Sequence, residues 1–187
     1  MEKNKKLLLI TGDIATGKST FANILSQRYN TNVFYKDSIK EVLGDTIGFS
    51  NREENKKLSN ALMELMFFIF SEFAKLGKGL ILESNFHRVE LERFHKAAQD
   101  NGYDVLTIAL FGDVEVLHAR YLNRMTNENR HSVHLSTTID KFEDFKKCSD
   151  YLKSIDIPGK VIRIDATDFD YQGNGEILAE IDAFKKG

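Results

Sequence analysis

The sequence predicts an α/β protein in which a parallel β-sheet is covered by helices on both faces. Two observations lead to this prediction: five short apolar runs recur along the chain, and helical patterns separate these runs from one another. Runs in which neighbouring residues are all apolar are typical of strands buried on both faces of a parallel sheet. Ligands bind such sheets beyond the carboxyl ends of the strands, so we expect functional residues there.

The predicted strands are 6–11, 32–35, 79–84, 104–111 and 160–165. Because parallel strands end at one edge of the sheet, the residues that follow them are expected to lie together. These residues are 12–19, Asp37, 83–85 and 165–168.

The first strand leads into GDIATGKST, residues 12–20, whose spacing matches a phosphate-binding loop between a strand and a helix. Gly12 and Gly17 permit backbone dihedrals at which consecutive N–H groups converge on polyphosphate oxygens. The helix that begins near Lys18 adds its positive dipole end. We expect Lys18 to contact the β- and γ-phosphates and Ser19 to bind Mg²⁺. The predicted nucleotide-binding residues of the loop are Gly12, Asp13, Ile14, Ala15, Thr16, Gly17, Lys18, Ser19 and Thr20.

Two carboxylates follow other strands. Asp37 stands after the second strand, where a carboxylate can orient an acceptor hydroxyl and accept its proton. The alternative is that Asp37 only caps a helix over 38–43. Glu83, at the end of the third strand, is a candidate for supporting the Mg²⁺ shell, and contact with the acceptor is its alternative.

A third group of candidates is basic. Arg120 and Arg124 are four residues apart and so share one face of a predicted helix, and Arg130 follows. Phosphoryl transfer requires positive charge beside the negatively charged transferred group, which these arginines would supply as a set. Each one taken separately can equally be a solvated helix residue. Residues 126–137 are polar and without periodicity, which predicts a mobile lid, with a plain connecting loop as the alternative.

The predicted helix over 51–76 is apolar on two faces. One stripe consists of Leu58, Leu62, Leu65 and Ile69, and the other of Met63, Phe67 and Phe70. Packing against the sheet on one side, and against other helices or a second subunit on the other, is the favoured interpretation. In the alternative, Met63, Phe67 or Phe70 lines an acceptor pocket.

Composition limits the class of protein. The 187 residues, 42% of them hydrophobic, contain no obvious linker and predict a single domain over 1–187. The net charge of −2 does not favour a large nucleic-acid-binding surface, although it does not exclude a local basic groove. The single cysteine, Cys148, fits a reducing cytoplasm. The longest apolar stretch, 61–74, is too short to cross a bilayer, so no membrane segment is predicted.

The chain resembles the small P-loop kinases, AAA-type ATP-binding proteins that include shikimate and gluconate kinases, chloramphenicol phosphotransferase, zeta toxins and polynucleotide kinases. The segments GDIATGKST, KDSIKEVL, ILESNF and RYLNRMTNENRHSVH carry this resemblance, which covers about residues 6–135. It implies a P-loop NTPase fold, a three-layer α/β/α sandwich with a five-stranded parallel sheet of order 2-3-1-4-5 and a lid. It also implies ATP as the donor and Mg²⁺ as the metal.

Under this resemblance, residues 12–20 bind the ATP phosphates and Asp37 is the base on the acceptor side. Arg120 or Arg124 lies near adenine, and Arg124 or Arg130 acts from the lid. The D-G-F-P-R signature of nucleoside monophosphate kinases is replaced by ESNFHR, which does not support a nucleotide acceptor. The guanine-reading N-K-x-D motif is missing, which favours ATP over GTP.

The predicted function is therefore phosphoryl transfer from ATP to a hydroxyl of a small molecule by a monomer or homodimer. The catalytic candidates are Lys18, Asp37, Arg124 and Arg130. One alternative is a polynucleotide 5′-hydroxyl kinase with a basic channel near Asp37, formed by Lys36, Lys40, Arg52, Lys56 and Lys57. Another is a regulatory module that binds nucleotide and hydrolyses ATP slowly.

Overall fold

A computed structural model describes residues 5–127, 131–135 and 139–187 of the chain. Its five parallel strands form one sheet in the order β2-β3-β1-β4-β5. The strands are β1 (Lys6–Gly12), β2 (Asn32–Tyr35), β3 (Leu80–Glu83), β4 (Asp104–Phe111) and β5 (Lys160–Asp165). The predicted fold class, the five strands and their order are confirmed.

Helices cover both faces of this sheet. They are α1 (Lys18–Tyr29), α2 (Lys36–Ile47), α3 (Arg52–Leu76), α4 (Arg88–Asp100), α5 (Val114–Asn127), α6 (Ser132–Leu135), α7 (Phe142–Ser154) and α8 (Gly175–Lys186), with a 3₁₀ turn at Phe169–Gly173. Local signals set several ends: Asn51 caps α3 by accepting from the Glu54 N–H, and Gly77 ends α3 in the left-handed region. Among the described residues, none of these helices is long and apolar enough to span a membrane.

The register of the strands places the carboxyl ends of β1, β2 and β3 next to one another. Tyr35 of β2 pairs with Glu83 of β3, and Glu83 pairs with Ile10 of β1. The residues that follow these three positions therefore emerge side by side, and they include the phosphate loop and Asp37. A shift of one residue in the pairing of β3 with β1 would turn Glu83 to the opposite face of the sheet.

Two apolar layers flank the sheet. Leu7 and Leu9 of β1 face a cluster built with α3 and α4, whereas Leu8 and Ile10 face a cluster built with α1 and α8. All four side chains are fully buried. Successive side chains of a strand point to opposite faces of the sheet, and both faces of β1 are buried. The run LLLI is therefore apolar without interruption.

The second stripe of α3 belongs to the core. The ring of Phe67 stacks on Phe94 at 3.9 Å between centroids, and Phe70 packs edge-on against Tyr103 at 5.5 Å. Met63 is buried in the same cluster. The alternative in which Met63, Phe67 or Phe70 lines an acceptor pocket is wrong, because these side chains are buried in the packing between α3 and α4. The favoured interpretation, burial against the sheet and a neighbouring helix, is confirmed.

Replacing Phe94 with alanine is expected to lower the free energy of unfolding by about 3–5 kcal/mol. Phe94 is fully buried, and its ring touches those of Phe67 and Phe86, so truncation leaves a cavity that these neighbours cannot fill. The measurement is urea unfolding followed by circular dichroism. Phe68→Ala is the matched control, since Phe68 is 59% exposed on α3 and its truncation should cost less than about 1 kcal/mol. Equal losses in the two variants would contradict this packing.

Candidate active site

A large cavity opens at the carboxyl edge of the sheet and has a volume of about 1070 Å³. Its walls come from the phosphate loop, the first turn of α2, one face of α3, the end of β3 and the helix α5. The residues predicted as functional that line it are Ile14, Ala15, Gly17, Lys18, Ser19, Thr20, Asp37, Glu83, Arg120 and Arg124. Gly12, Asp13 and Thr16 lie behind this lining as part of the same loop.

The backbone of the phosphate loop adopts three left-handed conformations. They occur at Gly12 (φ 125°), Ala15 (φ 64°) and Gly17 (φ 82°). At Gly12 the space is also closed, since an added Cβ would lie 1.9 Å from the carbonyl oxygen of Leu110 in β4. The positive φ values of Gly12 and Gly17 agree with the sequence, since glycine adopts this region readily. The positive φ of Ala15 could not be predicted from the sequence, because alanine rarely adopts this region.

Lys18 is held inside the loop. Its ammonium group donates to the carbonyl oxygens of Asp13 at 2.5 Å and Gly12 at 3.3 Å. Burial lowers the pKa of Lys18, and the carboxylates of Glu83, Asp37 and Asp13 oppose that shift. The loop thus keeps a desolvated cation beside the cavity, where phosphate oxygens are expected.

Ser19 and Glu83 place two oxygen atoms next to each other at the cavity. The Ser19 hydroxyl donates to Oε2 of Glu83 at 3.1 Å, and burial raises the pKa of the Glu83 carboxyl. A hydroxyl beside a carboxylate suits Mg²⁺, which prefers oxygen ligands and takes the rest of its shell from substrate phosphates and water. Over the described ranges, no group of three His, Cys, Asp or Glu side chains forms a complete metal cage. The donor set therefore fits a magnesium ion shared with a nucleotide.

Asp37 lies in the first turn of α2, not before it. The helix begins at Lys36, directly after β2, and Tyr35 occupies the N-cap position. The alternative that Asp37 caps a helix over 38–43 is therefore wrong, because the helix has already begun one residue earlier. The side chain of Asp37 is exposed and lines the cavity, on the same side as Lys18.

The basic channel of the polynucleotide alternative is only partly assembled. Lys36, Lys40 and Lys56 line the cavity. Lys57 instead pairs with Glu53 at 3.2 Å on the outside of α3, and Arg52 is exposed away from the cavity lining. The five basic residues thus do not form one continuous track.

The three predicted arginines have different positions. Arg120 donates to the carbonyl oxygens of Ala166, at 3.0 Å, and Thr167, and its guanidinium group lies 4.2 Å from the ring centre of Phe169. Arg124 lines the cavity, and its charge contributes to the lowered pKa of Lys18. Arg130 lies outside the described residues, so its role stays a prediction.

The described part of the lid candidate contacts α2 and α3. Residues 131–135 include the one-turn helix α6, which the sequence did not predict. The Asn55 amide donates to the Val133 carbonyl at 2.8 Å, and Nε2 of His134 lies 2.8 Å from Glu41. These contacts tie the segment to the elements that carry Asp37 and the cavity lysines. The movement of this segment as a lid stays a prediction.

Two residues that support the phosphate loop, Lys153 and Tyr171, have no signal in the sequence. Asp13 is fully buried, and its Oδ2 lies 3.5 Å from the ammonium group of Lys153 on α7. Tyr171 donates to the Thr16 carbonyl at 2.7 Å and so supports the loop from the turn that follows β5. These contacts join segments far apart in the chain, and no local pattern in the sequence predicts them.

The fold and the site together define a P-loop kinase-type nucleotide-binding domain. The chain belongs to the AAA domain family, whose model matches residues 7–146. This confirms the resemblance drawn from the phosphate loop, since the match begins in β1 and extends beyond the lid candidate. No curated protein matches the chain significantly.

Solved structures share the whole fold at low sequence identity. A candidate kinase from Chloroflexus aurantiacus J-10-fl superposes with a TM-score of 0.82 at 23% identity, covering 98% of both chains. A gluconokinase from Sinorhizobium meliloti 1021 gives 0.56 at 12% identity and covers 100% of both chains. A shikimate kinase from Bacteroides thetaiotaomicron gives 0.56 at 12% identity and covers 96% of this chain and 98% of its own. At these identities the likeness establishes the fold.

We expect Asp13→Asn to raise the free energy of unfolding at pH 7. Burial raises the pKa of Asp13 in the folded protein, against the opposing charge of Lys153. A raised folded pKa means that the carboxyl contributes stability below its unfolded pKa, near 3.9, and loses it as the pH rises through the folded value. Each unit of the shift is worth about 1.4 kcal/mol. Urea unfolding between pH 3.5 and 8 should show the gain growing with pH.

The control for Asp13→Asn is the variant Lys153→Met, made both in the natural chain and in the Asp13→Asn variant. With Asp13 present, Lys153→Met leaves a buried carboxylate without its nearest cation and should lower stability by roughly 1–3 kcal/mol. In the Asp13→Asn variant that loss should be smaller, because no charge is then stranded. A pH-independent effect of Asp13→Asn would contradict the assignment.

Gly44→Ala is expected to release residues 131–135 without unfolding the protein. A Cβ at Gly44 would lie 2.3 Å from Cγ1 of Val133, so the segment must shift, while α2 gains up to about 1 kcal/mol of helix propensity. Hydrogen exchange should be faster in 131–135. Ser38→Ala, an exposed change on the same helix, should leave that exchange unaltered.

Proposed function

We propose that the chain is an ATP-dependent phosphotransferase that moves the γ-phosphate to a hydroxyl group of a small molecule. The observation that carries this proposal is that the phosphate loop, the Ser19–Glu83 pair and the carboxylate of Asp37 all line one cavity. A donor site and a candidate base on the acceptor side then line the same open cavity, as phosphoryl transfer by in-line displacement requires.

On the donor side, the N–H groups of residues 12–20 bind the phosphates of ATP. The ammonium group of Lys18, which donates to loop carbonyls in the structure, turns to the β- and γ-phosphate oxygens. Ser19 and Glu83 would hold Mg²⁺, which neutralises developing charge on the phosphates when bound. Phe169 and Arg120 offer stacking surfaces for adenine at the far end of the cavity.

In the transfer step, Asp37 accepts a hydrogen bond from the acceptor hydroxyl and takes its proton. The hydroxyl oxygen forms a bond to the γ-phosphorus while the bond from that phosphorus to the β–γ bridging oxygen breaks, and ADP leaves with the electron pair. Lys18, Arg124 and Arg130 stabilise the negative charge of the transferred group. Closure of residues 126–137 as a lid excludes water, which favours transfer over hydrolysis.

Within this proposal, residues 1–187 form a single kinase domain that acts in the cytoplasm as a monomer or a homodimer. The polynucleotide alternative is weakened because Lys57 and Arg52 lie off the cavity. The regulatory-module alternative differs in its product: it releases inorganic phosphate and modifies no acceptor.

The experiment is ATP turnover with Mg²⁺ and a pooled panel of sugars, nucleosides, polyol acids, aminoglycosides, chloramphenicol and 5′-hydroxyl oligonucleotides. Mass spectrometry follows the γ-phosphate. A phosphorylated small molecule supports the proposal, a phosphorylated oligonucleotide supports the polynucleotide kinase, and inorganic phosphate as the only product supports the regulatory module.

Asp37→Asn should reduce acceptor phosphorylation by about 10²–10⁴-fold while the dissociation constant for Mg·ATP changes less than about threefold. The amide keeps the shape of the side chain but cannot accept the proton. Asp100→Asn is the control, since Asp100 pairs with Lys96 on the outside of α4 and should leave both values unchanged. Unchanged transfer in Asp37→Asn would remove Asp37 from the mechanism.

A further inference from the structure

Three lysines of α2 and α3 line the cavity. Lys36 and Lys40 are one turn apart on α2, and Lys56 projects from α3. Within the part of the chain that the structure describes, none of them forms an ion pair, whereas Lys57, Lys75 and Lys96 on other helix faces all do. The lysines that line the cavity therefore differ from these other helix lysines, whose charges are paired in salt bridges.

The anionic groups around them are few. Asp37 lies between Lys36 and Lys40 on the same helix and is the proposed base. Glu90 also lines the cavity, but its carboxylate accepts from the His87 N–H at 2.8 Å and so closes the first turn of α4. Glu83 also lines the cavity and interacts electrostatically with Lys36, but its Oε2 already accepts from the Ser19 hydroxyl at 3.1 Å. The other polar groups are Ser59, Asn60, Asn85 and His134, whose Nε2 lies 2.8 Å from Glu41. The cavity as a whole is therefore cationic in a protein whose net charge is −2. Its lining has three carboxylates, Asp37, Glu83 and Glu90, and six cationic side chains, Lys18, Lys36, Lys40, Lys56, Arg120 and Arg124.

Partial burial makes this charge costly in the free protein. Lys36 and Lys40 are half-buried, and burial lowers the pKa of Lys40, with Asp37 opposing the shift and Lys36 adding to it. A cation in this situation is stabilised by an anion that enters the cavity, since Coulomb attraction strengthens as water is excluded. An uncharged polyol would leave Lys36 and Lys40 without that compensation, whereas Lys56 is exposed and contributes its charge from the rim.

We infer that the acceptor carries an anionic group in addition to its reacting hydroxyl, and that Lys40 and Lys56 bind this group while Asp37 holds the hydroxyl. The inference rests on the proposed function and narrows its substrate to hydroxy acids or phosphorylated alcohols. A compact ligand is favoured over an oligonucleotide, because the cationic residues are gathered on the walls of one cavity and do not continue along the surface of α3.

The test uses acceptor pairs in which one anionic group is replaced by a neutral hydroxymethyl or hydroxyl group: gluconate and glucitol, glycerate and glycerol, glucose 6-phosphate and glucose. Each is titrated calorimetrically into the full chain saturated with Mg²⁺ and a non-hydrolysable ATP analogue, and phosphorylation is measured in parallel with ATP. We expect the anionic member of at least one pair to bind at least about tenfold tighter than its neutral partner. Whether that member is a carboxylate or a phosphate identifies the anion.

Lys40→Met and Lys56→Met should abolish most of this preference by raising the dissociation constant of the anion about tenfold or more, without changing the affinity for the nucleotide analogue. Lys57→Met is the matched control on α3, because Lys57 pairs with Glu53 away from the cavity and its loss should not alter the preference. Neutral members that bind as well as the anions, absence of binding by every anion, or a preference that survives both cavity variants would overturn the inference. Selective phosphorylation of a 5′-hydroxyl oligonucleotide would also overturn it.

Different outcomes of these experiments contradict the kinase function and the anion site. Lysine-dependent anion binding without phosphoryl transfer would contradict the kinase function and leave the anion site in place. Transfer to a neutral alcohol, unaffected by Lys40→Met and Lys56→Met, would retain the kinase and contradict the anion site.

Discussion

The phosphate loop depends on a close contact between two strands that only glycine allows. The Leu110 carbonyl of β4 fills the space where a Cβ at Gly12 would lie, and it accepts the N–H of Asp13 at 2.8 Å. This contact ends β1 and turns the chain into the loop at a defined height above the sheet. The orientation of the loop N–H groups and the start of α1 at Lys18 follow from it, since both are built outward from that turn.

The site also depends on charges that the fold buries near one another. Lys18 lies beside the loop carbonyls, Glu83 accepts from Ser19, and Asp13 is reached by Lys153 from α7. Burial disfavours the ionised forms of Lys18, Glu83 and Asp13, and the opposite charges offset part of that cost. Such an arrangement is typical of a site that stabilises a highly charged ligand and its metal, because the ligand completes the compensation that the protein leaves partial.

Much of the fold can be predicted from the sequence, since the apolar runs of buried strands and the glycine spacing of the loop are local features of the chain. Uninterrupted apolar runs predicted the strands, and the glycine spacing of residues 12–19 predicted the loop. Local reasoning failed at two places. Asp37 suits a helix cap by residue type, but the junction with β2 makes α2 begin at Lys36, one residue earlier. Met63, Phe67 and Phe70 suit a pocket wall as well as a core, because periodicity identifies an apolar face without showing what covers it.

The sequence by itself determined the fold class, the phosphate loop and the carboxylates at the strand ends, because backbone freedom and strand periodicity act over a few neighbouring residues. Only the tertiary structure decided which charged side chains meet. It placed Lys36, Lys40 and Lys56 in the cavity and Lys57 outside it, joined Lys153 to Asp13, and brought Val133 onto Asn55. These contacts depend on how α2, α3 and α7 pack on the sheet, which is a balance of many weak long-range interactions that no short segment encodes.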